Sequence, residues 1–271
     1  MTGSRLMRAA RYVILMAAIL ITIFPFYWLF ALSTQPAAEA FSTPKLFFKP
    51  DFSAYAQVWA SHDFRNALWM SARTVLLSIV ITLAVAVPAA YAWTRFQVRG
   101  RRLIMAWLFL AYLLPEFLLA IPLYAVYQNV HLYDTAFGLA FAYQVFMVPL
   151  AVWLLLRFFA EVPHELGEAA YIDGCSNFQV LTKIYLPLVG PGVATTAILV
   201  AIWVWNEVTI ALALTLYHPT IPIAVASYRG YAAIKWDQMT AAAIIGVIPV
   251  LILAIFVQRH IVRGLTAGAG R

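Results

Sequence analysis

The chain has 271 residues, 64% of them apolar and 11% charged, with a net charge of +7 and a mean hydropathy of +0.85. A soluble domain carries about a quarter charged residues, so this balance excludes an ordinary water-soluble fold. Continuous apolar stretches of roughly 20 residues point to membrane helices and exclude the short alternating strands of a membrane β-barrel.

The first apolar run, Tyr12 to Leu32, follows Arg5, Arg8 and Arg11. It is too long for a signal-peptide core and no small-residue cleavage site closes it, so it reads as an uncleaved first helix. The next segment, Ser33 to Arg73, carries Pro36, Pro44 and Pro50, then Phe52, Tyr55, Val58 and Trp59. It reads either as an amphipathic helix lying in the membrane interface or as a plain tether. Further spans are expected over Thr74–Trp93, Leu103–Ile121, Thr135–Leu156, Val193–Leu214 and Ala241–Val257. Pro115 and Glu116 interrupt the third, and Pro88, Pro115, Pro149 and Pro249 are expected kinks that neighbouring helices tolerate. The expected fold is therefore an all-α membrane protein with six transmembrane helices in a single domain, residues 1–271, with no internal repeat.

Charge sets the orientation. Of the 18 Lys and Arg residues, twelve fall in the N-terminal tail, the second-to-third and fourth-to-fifth loops and the C-terminal tail. By the positive-inside rule both termini are expected in the cytoplasm. The same placement at the edges of apolar runs argues against nucleic acid as a partner. One cysteine, Cys175, excludes an internal disulfide framework and a multi-cysteine metal site. His62, His131, His164, His218 and His260 are scattered, with no pair at metal-ligand spacing. A G-x-x-x-x-G-K-[S/T] loop is missing, so the chain is not expected to hydrolyse ATP.

The cytoplasmic stretch between spans four and five, residues 159–190, is the most informative. Pro163 suits a helix first turn, and Glu165 and Glu168 suit its positive end. Gly174 can supply a left-handed stop, and Ser176 can cap the next helix. Phe178, Leu181, Ile184 and Tyr185 recur at helical spacing as one apolar face, and Pro187 is expected to end that helix. Two short helices meeting at a glycine turn, with the small Ala169 and Ala170, suit docking into a cleft of another protein.

Glu168-Ala169-Ala170, three residues, Gly174, nine residues, Ile184, one residue, then Leu186-Pro187 resembles the EAA motif of ABC-importer permeases. Asp173 ahead of Gly174 resembles the sugar-importer branch. Trp205-Asn206-Glu207 is similar to the Trp-Asn-Glu/Asp of maltose-type permeases. The stretch Ile261 to Gly270, in the cytoplasmic tail 258–271, is similar to the tail of the second permease subunit in such systems. The resemblance implies a type I importer permease fold in a bacterial inner membrane. It also implies a homologous second permease, two ATP-binding subunits carrying ATP and Mg, and an extracytoplasmic solute-binding protein; this chain would bind no cofactor of its own. Glu168, Ala169, Ala170, Asp173, Gly174, Ile184, Leu186 and Pro187 would form the coupling element that meets the ATPase. The implied solute is a sugar or sugar-like molecule.

Glu116 and Glu207 lie within apolar spans, where a carboxylate costs about 2.5–3.5 kcal/mol even on insertion scales. Each either lines a pathway or supports a bent helix. With Asn206 they are the polar candidates for the solute route. Tyr143 and Trp203, with Tyr112 and Trp205, are aromatic candidates for stacking on a sugar, against the alternative of interfacial belts. The competing function classes are a secondary transporter or channel working without an ATPase, which would need paired ionisable residues inside the membrane, and a membrane enzyme, which would need a clustered acid–base or metal site.

Overall fold

A computed structural model describes residues 3–35, 48–230 and 234–268, and nearly all of them are helical. Pro36, Pro44 and Lys45 lie outside the described residues. The chain forms two compact units, residues 1–65 with 224–247, and residues 66–223 with 248–271.

In the first unit, α1 (Gly3–Thr34) leaves the whole of its most apolar stretch uncovered by the chain. Such a helix requires lipid or another subunit around it. The short α2 (Ser53–Ala60) buries Ala54 and Val58 and leaves Phe52 and Trp59 exposed. It is tied to α1 by Ser33 Oγ and Tyr55 Oη at 2.7 Å, and by Asp51 N–H donating to the Thr34 carbonyl. The described part of this segment thus holds a short helix with Trp59 facing outward.

The second unit is built on α3 (His62–Arg95), whose 34 residues rise about 50 Å, more than a bilayer's hydrocarbon core. The expected third span is two helices, α4 (Arg101–Leu113) and α5 (Glu116–Asn129), meeting at 92°. The cause is local. Pro115 pushes Leu114 out of the helical region, to ψ 130°, and Glu116 restarts the helix in a first turn that favours a carboxylate. The fourth span divides into α6 (Ala136–Ala142) and α7 (Gln144–Glu161), so α7 runs past the expected end at Leu156.

Two shorter helices, α8 (His164–Ile172) and α9 (Asn177–Leu188), precede α10 (Gly190–Asn206), and α9 meets α10 at 79°. The expected fifth span breaks at Glu207, and α11 (Thr209–Leu214) is separate. The short α12 (Ile221–Ala226) and the long α13 (Trp236–Gly268) follow. The last span thus begins before Ala241 and stays helical to Gly268, with Ala269 to Arg271 outside the described residues. Among the described residues four helices are long and apolar enough to cross a membrane, and counting each bent pair as one span gives up to six.

The second unit has two cores. One gathers Tyr91, Leu155, Phe159, Val180 and Tyr185 beside the α8–α9 loop. The other gathers Tyr143, Met147, Val200, Ile210 and Leu214 around the α10–α11 break.

Candidate coupling loop and pathway cleft

Pro163 stands one residue ahead of α8 rather than in its first turn. The C-terminus of α8 closes as the sequence leads one to expect. Gly174 sits at φ +82°, its N–H donates to the Tyr171 carbonyl, and Cys175 N–H donates to the Ala170 carbonyl. This pair of bonds is the Schellman closure. A Cβ at Gly174 would meet nothing within 4 Å, so conformation and not space demands glycine there. Ser176 caps α9 through a reciprocal box: its Oγ accepts from Gln179 N–H, and Gln179 Oε1 accepts from Ser176 N–H. The Ser-x-x-Gln spacing was visible in the sequence, although the reciprocal bond was not anticipated.

Two expectations for α9 are corrected. Its segment Val180–Tyr185 is π-helical, with Leu186 N–H bonding to the Leu181 carbonyl. The wider turn shifts the register, so the buried face is Val180, Leu181 and Tyr185 with Ile184 packed beside it, while Phe178 is 74% exposed. Pro187 does not end the helix, which continues to Leu188. In an α-turn the Pro187 ring would strike the carbonyl four residues back; the π turn opens the spacing and absorbs it.

The coupling candidates divide between two faces of the loop. Glu168, Ala169 and Asp173 are exposed, together with Leu166 and Ile172, the latter 88% exposed. Ala170 faces the chain's own core, and so does Gly167. A Cβ on Gly167 would lie 2.6 Å from Tyr185 Oη. The Tyr185 ring has the Tyr91 ring at 5.2 Å and the Arg95 guanidinium at 4.5 Å. Tyr91 Oη is 3.0 Å from Tyr171 Oη on α8. Arg95 Nη2 donates to the carbonyls of Phe159 and Val162, both at 2.6 Å, satisfying the end of α7. Its Nε and Nη1 are buried without a hydrogen-bond partner, and the Tyr185 ring face offsets part of that charge. Sequence reasoning assigned Arg95 only to topology and did not single out Tyr91 or Gly167. Their partners lie on other helices, so no local pattern marks them.

Around the break after α10, Glu207 is 5% exposed. Its Oε1 accepts from Ile210 N–H at 2.6 Å, and its Oε2 accepts from Ala211 N–H at 3.0 Å and from Tyr143 Oη at 2.7 Å. The carboxyl group therefore caps α11 and locks α10–α11 to the start of α7. Tyr143 is fully buried, and its ring meets Trp203 edge-on at 5.6 Å. Asn206 is exposed, with Nδ2 bonded to its own helix at the Ile202 carbonyl. Glu116 and Trp203 are brought together: they line one open cleft of about 400 Å³, with Tyr112, Phe146 and Thr209. Glu207 and Tyr143 support the wall of this cleft from behind, and Trp205 is buried. Phe146 and Thr209 were not anticipated. Among the described residues no three His, Cys, Asp or Glu side chains gather as a metal site.

Helices long and apolar enough to cross a membrane, an exposed glycine-closed loop and a cleft at a broken helix are features that a membrane-transport subunit uses. Residues 83–267 match the binding-protein-dependent transport system inner membrane component family, and the chain belongs to that family. It is 36% identical over 249 residues to the probable ABC transporter permease protein y4oR of Sinorhizobium fredii, covering 91% of this chain and 90% of that one. It is 33% identical over 267 residues to the trehalose/maltose transport system permease protein MalG of Thermococcus litoralis, covering 96% of each. Among solved structures, a bacterial ABC transporter involved in the import of the acidic polysaccharide alginate matches with a TM-score of 0.77 at 25% identity, over 95% of this chain and 97% of that one. The fold is that of a type I importer permease, and the chain is a permease subunit of a binding-protein-dependent ABC importer, not an enzyme.

Proposed function

We propose that this permease forms half of the inner-membrane pathway for a sugar or sugar-like solute, with both termini in the cytoplasm. A homologous second permease supplies the other half, and two ATP-binding subunits, carrying ATP and Mg, lie beneath the pair, one of them docked on the exposed face of α8. An extracytoplasmic binding protein delivers the solute. The sugar assignment rests on the Asp173-Gly174 variant of the loop and on the trehalose/maltose relative.

The observation that carries the coupling assignment is the division of α8. Glu168, Ala169, Ile172 and Asp173 point away from the chain while Gly167 and Ala170 seat the helix. Ile172 and Phe178 are large apolar side chains left uncovered beside that acidic pair, as an element built to enter a partner's cleft requires. Transport coupling demands a contact that differs between two global states, and a helix held rigidly from behind transmits displacement into the bundle. Glu116, Trp203, Asn206, Glu207 and Tyr143 would shape the route, the first two at its surface and the last two as support.

The test is a mild-detergent pull-down of the tagged chain from its native membranes. Co-purification of an ATP-binding subunit and a second permease, with the ATPase lost on Glu168→Arg, is the expected result. Recovery of the chain alone, still transporting solute after reconstitution, would overturn the assignment.

A further inference from the structure

We propose that the face between α4 and α7 is a binding site for an anionic phospholipid of the leaflet on the coupling-loop side. A shallow apolar crevice of about 60 Å³ runs between these helices, walled by Met105, Leu108 and Phe109 of α4 and by Pro149, Leu150 and Trp153 of α7. It does not close. Trp153 and Phe109, whose rings lie 6.0 Å apart, are about half exposed.

At one end Met105 also lines a recess with Arg101, Arg102 and Trp93. Leu150 and Trp153 also line a second recess, which holds Arg157. Among the described residues no carboxylate lines any of the three. Arg101 instead lies over the Trp93 ring, 5.3 Å from its centroid. The first-turn N–H groups of α4 open at the same end, because Gly100 at φ +77° offers no capping side chain. Two guanidinium groups and a bare helix N-terminus there, with Arg157 in the neighbouring recess, make a site for phosphate oxygens.

Dimensions select the occupant. From Arg101 to Tyr112 a helix rises about 16 Å, close to half of a hydrocarbon core of about 30 Å. The groove is therefore one leaflet deep, with its positive end at the side where α3 and α7 finish and the coupling loop begins, as the Arg95 bonds to Phe159 and Val162 show. An acyl chain beneath a phosphate head fits that combination of depth and charge; basic pockets between helices on this side are where anionic lipids are held. A helix of the second permease would fill the apolar part but would leave the three guanidiniums without counter-charge.

The experiment uses the complete importer complex reconstituted in mixed phosphatidylglycerol and phosphatidylethanolamine, with a trace of phosphatidylglycerol carrying a photoreactive acyl chain. Labelling of the α4 and α7 peptides around Met105 and Trp153 is expected, as is retention of phosphatidylglycerol over phosphatidylethanolamine by about tenfold on detergent extraction. The triple variant Arg101→Gln, Arg102→Gln, Arg157→Gln should lose that preference, whereas Arg99→Gln, outside the lining, should keep it. Wild-type labelling stands as a readout even where the triple variant fails to assemble. Equal retention of the two lipids, labelling spread evenly over the exposed helices, or a crosslink from Trp153 to the second permease would overturn the proposal.

Discussion

The α8–α9 loop and the α10–α11 break both use polar groups to interrupt a helix, but they do so in opposite ways. In the loop the bonds that close the turn stay local, within Ala170–Gly174–Cys175 and Ser176–Gln179, Tyr171 reaches Tyr91 on α3 from its inner face, and the outer side chains remain exposed. At the break a single buried carboxyl group, Glu207, holds two backbone N–H groups and a tyrosine 64 residues away. A docking element has to close its turn with its own groups, since its partner comes from another chain. A break inside the bundle has no water to complete its backbone bonding, so a distant side chain must do it. Damage to the break is therefore expected to fall on stability, and damage to the loop on coupling.

The largest effect belongs to Glu207→Ala. It strands three donors, each worth about 1–3 kcal/mol when left unpaired, so the purified complex should lose several degrees or more in Tm. A variant with wild-type Tm would show that the carboxyl group is not structural. Gly167→Ala should come next, because its Cβ meets Tyr185 Oη at 2.6 Å. Uptake should fall with assembly intact, and Tyr185→Phe in the same chain should restore part of it; two additive defects would break the link between these residues.

Gly174→Val forces a β-branched residue to φ +82° at roughly 1–2 kcal/mol. Solute uptake per ATP hydrolysed should drop while membrane insertion stays normal; unchanged uptake would remove the glycine turn from the coupling account. The smallest effect concerns Asp134, whose carboxylate accepts from Leu216 and His218 N–H and meets His218 Nδ1 at 2.8 Å. Burial pushes its pKa up, but the Leu216 and His218 N–H groups and the imidazole outweigh that and hold it below the ordinary aspartate value. A depressed folded pKa means the stabilisation is full above the ordinary value near 4 and is lost as pH falls through the lower folded value. Asp134→Asn should therefore flatten the acid end of the Tm–pH profile below about pH 4, and an unchanged profile would exclude this contact as a source of acid sensitivity.

What the sequence by itself determined is what neighbours along the chain enforce. Long apolar runs impose helices because lipid leaves the backbone no other donor or acceptor. Gly174, Ser176 and the spaced residues from Glu168 to Pro187 act over one or two turns, so their pattern was legible. Tertiary structure decided the rest. Pro115 announced an interruption but not its 92° angle, which packing sets. The pattern of Phe178, Leu181, Ile184 and Tyr185 pointed to one face until the π turn moved Phe178 outward. Arg95 read as a topological charge until folding placed it on carbonyls 64 and 67 residues away. Tyr143 read as a sugar-stacking candidate, and nothing near it in the chain announced that its hydroxyl meets Glu207. Periodicity and capping are short-range forces and leave a signature in the sequence; a hydrogen bond between distant helices leaves none, because its partners are chosen only when the helices pack.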